Sequence, residues 1–143
     1  MQNVAPAKYR VVIAEDNAQI RELLRQQLAE LGHEVVAEAK DGIEVVDIVA
    51  RECPDVVVID WGLPGQNGLV AATSILQRSP VPIILLSAYM SSGDPEMQAR
   101  VTGVHAFLAK PYLIEELDEA LEQAVSRYAK SRPIAVLPTG SNV

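Results

Sequence analysis

The chain has 143 residues, 49% of them apolar, and a formal net charge of −7. This length fits one domain with a sizeable core, and the apolar share argues against global disorder. The negative charge disfavours nucleic acid or an anionic membrane as a default partner and suits a divalent cation or a basic protein surface. The single Cys53 excludes an internal disulfide. No run approaches the roughly 20 apolar residues that span a bilayer. Residues 1–8 lack the apolar stretch of a secretory signal, so a cytoplasmic location without membrane insertion is expected.

Residues 9–14, YRVVIA, form a β-branched run suited to a buried strand, closed by Glu15 and Asp16. Asn17 is a candidate helix cap, with an apolar stripe at Ile20, Leu23, Leu24, Leu28 and Leu31 and a stop at Gly32. A second strand lies within residues 33–39, and Asp41-Gly42 signals a turn. A helix over 43–51 follows, with Val46 and Val49 among its inward residues. Residues 55–59, DVVVI, are a third buried strand that ends at Asp60.

After a loop over 61–67 containing Gly62, Pro64 and Gly65, a helix is expected over about 68–77, then a strand over 83–86 with Ser87 at its end. Asp94 caps a short helix that Gly103 ends. Residues 104–109 are the fifth strand, before Lys110-Pro111. The last helix covers about 114–128, with Leu117, Leu121, Ala124 and Val125 as its stripe and acidic residues in its first turn. The expected division is a flexible N-terminus over 1–8, a folded domain over 9–129 and a tail or start of a linker over 130–143. Five β-α units with buried strands imply a doubly wound five-stranded parallel sheet of the flavodoxin-like class, covered by helices on both faces. Strand order is not legible from periodicity.

In such folds ligands sit beyond the carboxyl ends of the strands. Those ends carry Glu15 and Asp16, Asp60, Ser87 and Lys110, which a parallel sheet brings toward one edge. Clustered carboxylates repel unless a cation joins them, and oxygen donors favour a hard ion such as Mg²⁺. Asp60 then suits a nucleophile toward phosphorus, Lys110 a counter-charge for phosphoryl oxygens, and Ser87 a hydrogen-bond donor to them. Taken singly, each residue also has a structural reading. Glu15, Asp16 and Ser87 read as caps, Asp60 as a turn residue and Lys110 as a surface lysine.

In this order the motifs resemble the receiver domain of bacterial two-component response regulators, over roughly residues 9–128. The resemblance implies Mg²⁺ held by Glu15, Asp16, Asp60 and the carbonyl of Gly62, with Asp60, in VVVID, as the phosphorylated residue. Pro64 and Gly68 match the loop that follows. Ser87, followed by the small Ala88, matches the fourth-strand hydroxyl, and Lys110-Pro111 matches the lysine-proline pair with its cis bond. Phe107 matches the switch aromatic, which would turn inward when Ser87 shifts; its alternative reading is a core strand residue. Trp61, Ala88, Tyr89 and Pro111 would line the site, with Gly62 and Tyr89 at the positions that tune dephosphorylation. The segment between Ser87 and Gly103 is about one residue longer than in compact members.

The resemblance implies a sensor histidine kinase or histidine phosphotransfer protein as donor, and a receiver that catalyses its own phosphorylation and dephosphorylation while serving chiefly as a switch. Output would pass through the face of the fourth helix, fifth strand and last helix, to a downstream protein or a second copy, without direct nucleic-acid contact. A natural single-domain regulator is slightly preferred to an N-terminal receiver fragment. A receiver-shaped binding module that takes no phosphate stays open, as does a small flavodoxin-like enzyme. Against the last, the first loop, AEDNAQ, lacks phosphate-cradling glycines.

Overall fold

The computed structural model describes residues 8–87 and 103–131. The short apolar runs become β1 (Arg10–Ala14), β2 (Glu34–Ala39), β3 (Val56–Asp60), β4 (Ile83–Ser87) and β5 (Ala106–Ala109). Between them stand α1 (Ala18–Glu30), α2 (Gly42–Glu52) and α3 (Gly68–Arg78), and α4 (Ile114–Ser131) closes the described chain. The helix expected from Asp94 lies outside the described residues, so α4 is the helix expected after Lys110-Pro111.

The helices begin where short polar side chains occupy free backbone donors. Asn17 Oδ1 accepts from Ile20 N at 2.9 Å, Asp41 Oδ1 from Glu44 N at 2.7 Å, and Asn67 Oδ1 from Val70 N at 2.9 Å. α2 ends on Cys53 in the left-handed region, φ 49°.

All strand pairs are parallel, in the order β2-β1-β3-β4-β5. Alternate residues feed two cores. Val12, Val57, Ile59, Ile83 and Leu85 pack with Val45, Ile48 and Val49 of α2 and Ala72 and Ile75 of α3. Val11, Ile13, Val58, Ile84 and Leu86 pack with Leu24 and Leu28 of α1 and Leu117, Leu121 and Ala124 of α4. This is the doubly wound sheet that five alternating β-α units imply.

Two local expectations change. β2 is an edge strand and mostly half-buried; its Glu38 takes Arg21 and Arg25 of α1 in ion pairs. Ile20 and Leu23, expected in the inward stripe of α1, are 43% and 53% exposed. The stripe is wider than the strip of sheet that α1 covers, so Leu24 and Leu28 take the core.

The chain winds from β1 outward to β2, then returns past β1 to β3. The crevice that this reversal opens lies at the carboxyl ends of β1 and β3.

Candidate functional site

Register brings the expected residues together. Ala14 is level with Ile59, so Glu15 and Asp60 leave the sheet side by side. Asp60 is level with Leu86, and Ser87 with Ala109, so the ends of β4 and β5 complete the row. Backbone bonds lock the ends. Trp61 N donates to Leu86 O at 2.7 Å, and Lys110 N to Ser87 O at 2.8 Å.

Lys110 lies between the two acids. Its Nζ donates to Asp60 Oδ1 at 2.7 Å and approaches Glu15 Oε1 at 3.3 Å. Asp60 Oδ2 accepts the Gly62 N–H at 3.0 Å, so each oxygen of the Asp60 carboxylate has a donor. Glu15 is buried, 3% exposed, and its Oε2 accepts the Asn17 N–H at 3.1 Å. Arg21 Nη1 donates to the Glu15 carbonyl oxygen at 2.7 Å and steadies this turn. Sequence reading missed Arg21; its spacing from Asn17 on α1 was the available signal.

The electrostatics follow from burial. Burial raises the Glu15 carboxyl above its ordinary value, and the charge of Asp60 adds to this; the Asn17 N–H and Lys110 oppose it. Burial by itself would lower the Lys110 ammonium, but its bond to Asp60 and the charges of Asp60 and Glu15 together hold it above its usual range. Lys110 is therefore a cation throughout the neutral range.

Asp16 is exposed, at the bend between β1 and α1. Among the described residues no three acidic, His or Cys side chains converge on one metal position. The three packed carboxylates expected from the sequence are thus two, Glu15 and Asp60, with Asp16 beside them. The donors nonetheless suit a hard cation. All are oxygens, and one ammonium leaves an excess of negative charge around a buried glutamate whose ionisation Asp60 disfavours.

Ser87 is buried at 4% exposure. Phe107 is half-buried against the α2–α3 core, as is Trp61. Pro111 is exposed, and the Lys110-Pro111 bond is cis. Ala88 and Tyr89 lie outside the described residues. Gly68 admits no side chain, because a Cβ there would collide with the Asp60 carbonyl oxygen and stand 2.8 Å from Trp61 Cα. Beside Lys110 a cleft of about 380 Å³ opens between α1 and the β5–α4 connection, lined by Ile20, Leu23, Leu86, Lys110, Pro111 and Tyr112. Leu113, 66% exposed, follows in the same connection.

The model of a family described as the response regulator receiver domain matches residues 11–122. Over 119 residues the chain is 43% identical to the transcriptional regulatory protein PdtaR of Mycobacterium tuberculosis, covering 83% of this chain and 58% of that protein. The response regulator domain of Thermotoga maritima CheB superposes with a TM-score of 0.75 at 29% identity, covering 82% of this chain and 96% of that one. The signal receiver domain of the putative response regulator NarL from Mycobacterium tuberculosis gives a TM-score of 0.71 at 30% identity, covering 89% and 100%. The chain thus spans a little over half the length of PdtaR. Among the described residues no helix is long and apolar enough to cross a membrane.

Proposed function

The chain belongs to the family of response regulator receiver domains, and from that premise we propose that it is a Mg²⁺-dependent switch phosphorylated on Asp60. The observation that carries this reading is the two-sided grip on the Asp60 carboxylate, by Lys110 Nζ on Oδ1 and the Gly62 N–H on Oδ2. A turn residue would have no need of a half-buried ammonium that a second acid shares.

Receivers generally bind Mg²⁺ in an acidic pocket and interact with histidine kinases or phosphotransfer proteins. Here Glu15, Asp16, Asp60 and the carbonyl of Gly62 would hold the ion. When bound, Mg²⁺ supplies charge neutralisation for the phosphoryl oxygens. An Asp60 carboxylate oxygen forms the new bond to phosphorus while the bond from phosphorus to the donor imidazole nitrogen breaks. Lys110 follows the charge onto the phosphoryl oxygens, and the Ser87 hydroxyl donates to one of them. Hydrolysis of the aspartyl-phosphate resets the switch.

The exposed apolar cleft of Ile20 and Leu23, with Leu113 close by, supports docking of the donor protein there, since it opens directly beside Lys110. Output follows from Ser87 moving toward the phosphoryl group and Phe107 moving with it. The face around β5 and α4 then prefers a downstream protein or a second copy of the chain. The receiver unit spans residues 9–129 in this reading.

Incubation with Mg²⁺ and acetyl phosphate, read by intact mass, tests it. One phosphoryl adduct that requires both Mg²⁺ and Asp60 supports the reading. Absence of an adduct, together with no Mg²⁺ response in Trp61 fluorescence, leaves a receiver-shaped binding module that signals without phosphate.

A further inference from the structure

Gly42, the first residue of α2, lies under the loop that joins β3 to α3. Its N–H donates to the Pro64 carbonyl at 3.1 Å. A Cβ at Gly42 would collide with the Gln66 carbonyl oxygen and stand 2.8 Å from the Gln66 carbonyl carbon. These are backbone atoms, so no side-chain rotation relieves the contact. Gly65, at φ 80°, places its own missing Cβ 3.7 Å from Asp41 Cβ and 3.6 Å from Ile43 Cδ1, so the loop rests on all of residues 41–43.

Both ends of this loop are pinned. Trp61 N is bonded to β4, and Gly68 N donates to Trp61 O at 2.7 Å. Leu63 is buried within the α2–α3 core. A push at Gln66 therefore has to be absorbed between Trp61 and Gly68, the stretch that contains Gly62. We infer that Gly42 is a positioning residue for the acceptor: its bare backbone seats the β3–α3 loop on α2 and thereby keeps the Gly62 backbone against Asp60. The inference rests on the phosphoacceptor reading and names a residue one helix away from the chemistry. Gly42 touches neither Asp60 nor Lys110; it acts through the loop.

The test compares Gly42→Ala with Ile48→Val. Ile48 lies in the core face of the same helix, outside the stretch 41–43 on which the loop is seated. Both variants and the wild type are labelled with acetyl phosphate across a Mg²⁺ titration, and thermal midpoints are measured beside them. Gly42→Ala is expected to label about tenfold to a hundredfold more slowly at saturating Mg²⁺. It should also need more Mg²⁺ for half-maximal rate, while Ile48→Val keeps the wild-type rate at similar loss of stability. Equal rates for the two variants, with only their midpoints lowered, overturn the inference. Should Gly42→Ala fail to fold, the pair Gly42→Ala with Gln66→Gly lets the loop backbone give way; slow labelling of the folded pair supports the latch and wild-type labelling overturns it. A wild type that takes no phosphoryl group and shows no Mg²⁺ response in Trp61 fluorescence sinks the phosphoacceptor reading itself. The latch is then judged on amide resonances, where shifts at Gly62 and Gly68 larger in Gly42→Ala than in Ile48→Val sustain it and equal shifts overturn it.

Discussion

The two ends of the sheet bury ionisable groups in opposite ways. At the carboxyl end Glu15 and Asp60 share Lys110, and the cluster keeps net charge close to solvent. At the amino end His33 and His105 are buried beneath aromatic rings. Among the described residues neither ring nitrogen of His33 has a hydrogen-bond partner, although Nε2 stands 4.0 Å from Asp118 Oδ1, and the imidazole ring stacks on Tyr9 at 5.1 Å. Burial pushes its pKa down and Lys8 adds to this, against the nearby Asp118 and Glu122. His105 Nδ1 accepts the Ile83 N–H at 3.1 Å, its ring meets Tyr128 edge-on at 5.2 Å, and burial lowers it too. The carboxyl end accepts the desolvation of charge because opposite charges meet there; at the amino end burial disfavours the charged form of both imidazoles.

The largest expected effect falls at the charged end. Asp60→Asn should abolish the Mg²⁺-dependent adduct in intact-mass spectra while circular dichroism stays that of the wild type. Next, Lys110→Met leaves Glu15 and Asp60 without their ammonium. Labelling should slow by a factor on the order of 10²–10³, as when a preorganised donor is removed from a charge-developing site, and quenched-flow sampling reads it. Retention of the wild-type rate would assign Lys110 to the fold alone.

Away from the site, Leu121→Ala empties a fully buried position between α4 and the sheet. It should cost about 2–5 kcal/mol in urea unfolding and leave labelling per folded molecule unchanged. Asn17→Ala removes the cap that accepts the Ile20 N–H and should cost about 1 kcal/mol. The smallest effect is a change of slope at the amino end. A folded-state pKa below the unfolded value means that the His33 contribution is present above the unfolded pKa and lost as pH falls through the folded one. His33→Phe keeps the ring on Tyr9 and should flatten the fall in thermal midpoint below neutral pH, leaving the share that belongs to His105. An unchanged slope would mean that His33 protonates as freely in the folded protein as in the unfolded one.

Local chemistry in the sequence was sufficient for the five strands, the cap at Asn17 and the last helix, because side-chain periodicity and capping act over a few residues; Asp41, read as part of a turn, proved to be the cap of α2. Local chemistry also placed Glu15, Asp60, Ser87 and Lys110 at strand ends, since an apolar run that stops at a polar residue marks the end of a strand. Only the tertiary structure decided the strand order, because pairing joins segments tens of residues apart and each buried run suits more than one neighbour. The same long-range packing put β2 at the edge, turned Ile20 and Leu23 outward beside Lys110, and sent Glu15 inward but Asp16 to solvent. It also laid the Gln66 carbonyl where a side chain at Gly42 would stand. As a residue in a turn signal it was ordinary; only the loop from the far side of α2, laid over its missing side chain, shows why no larger residue fits.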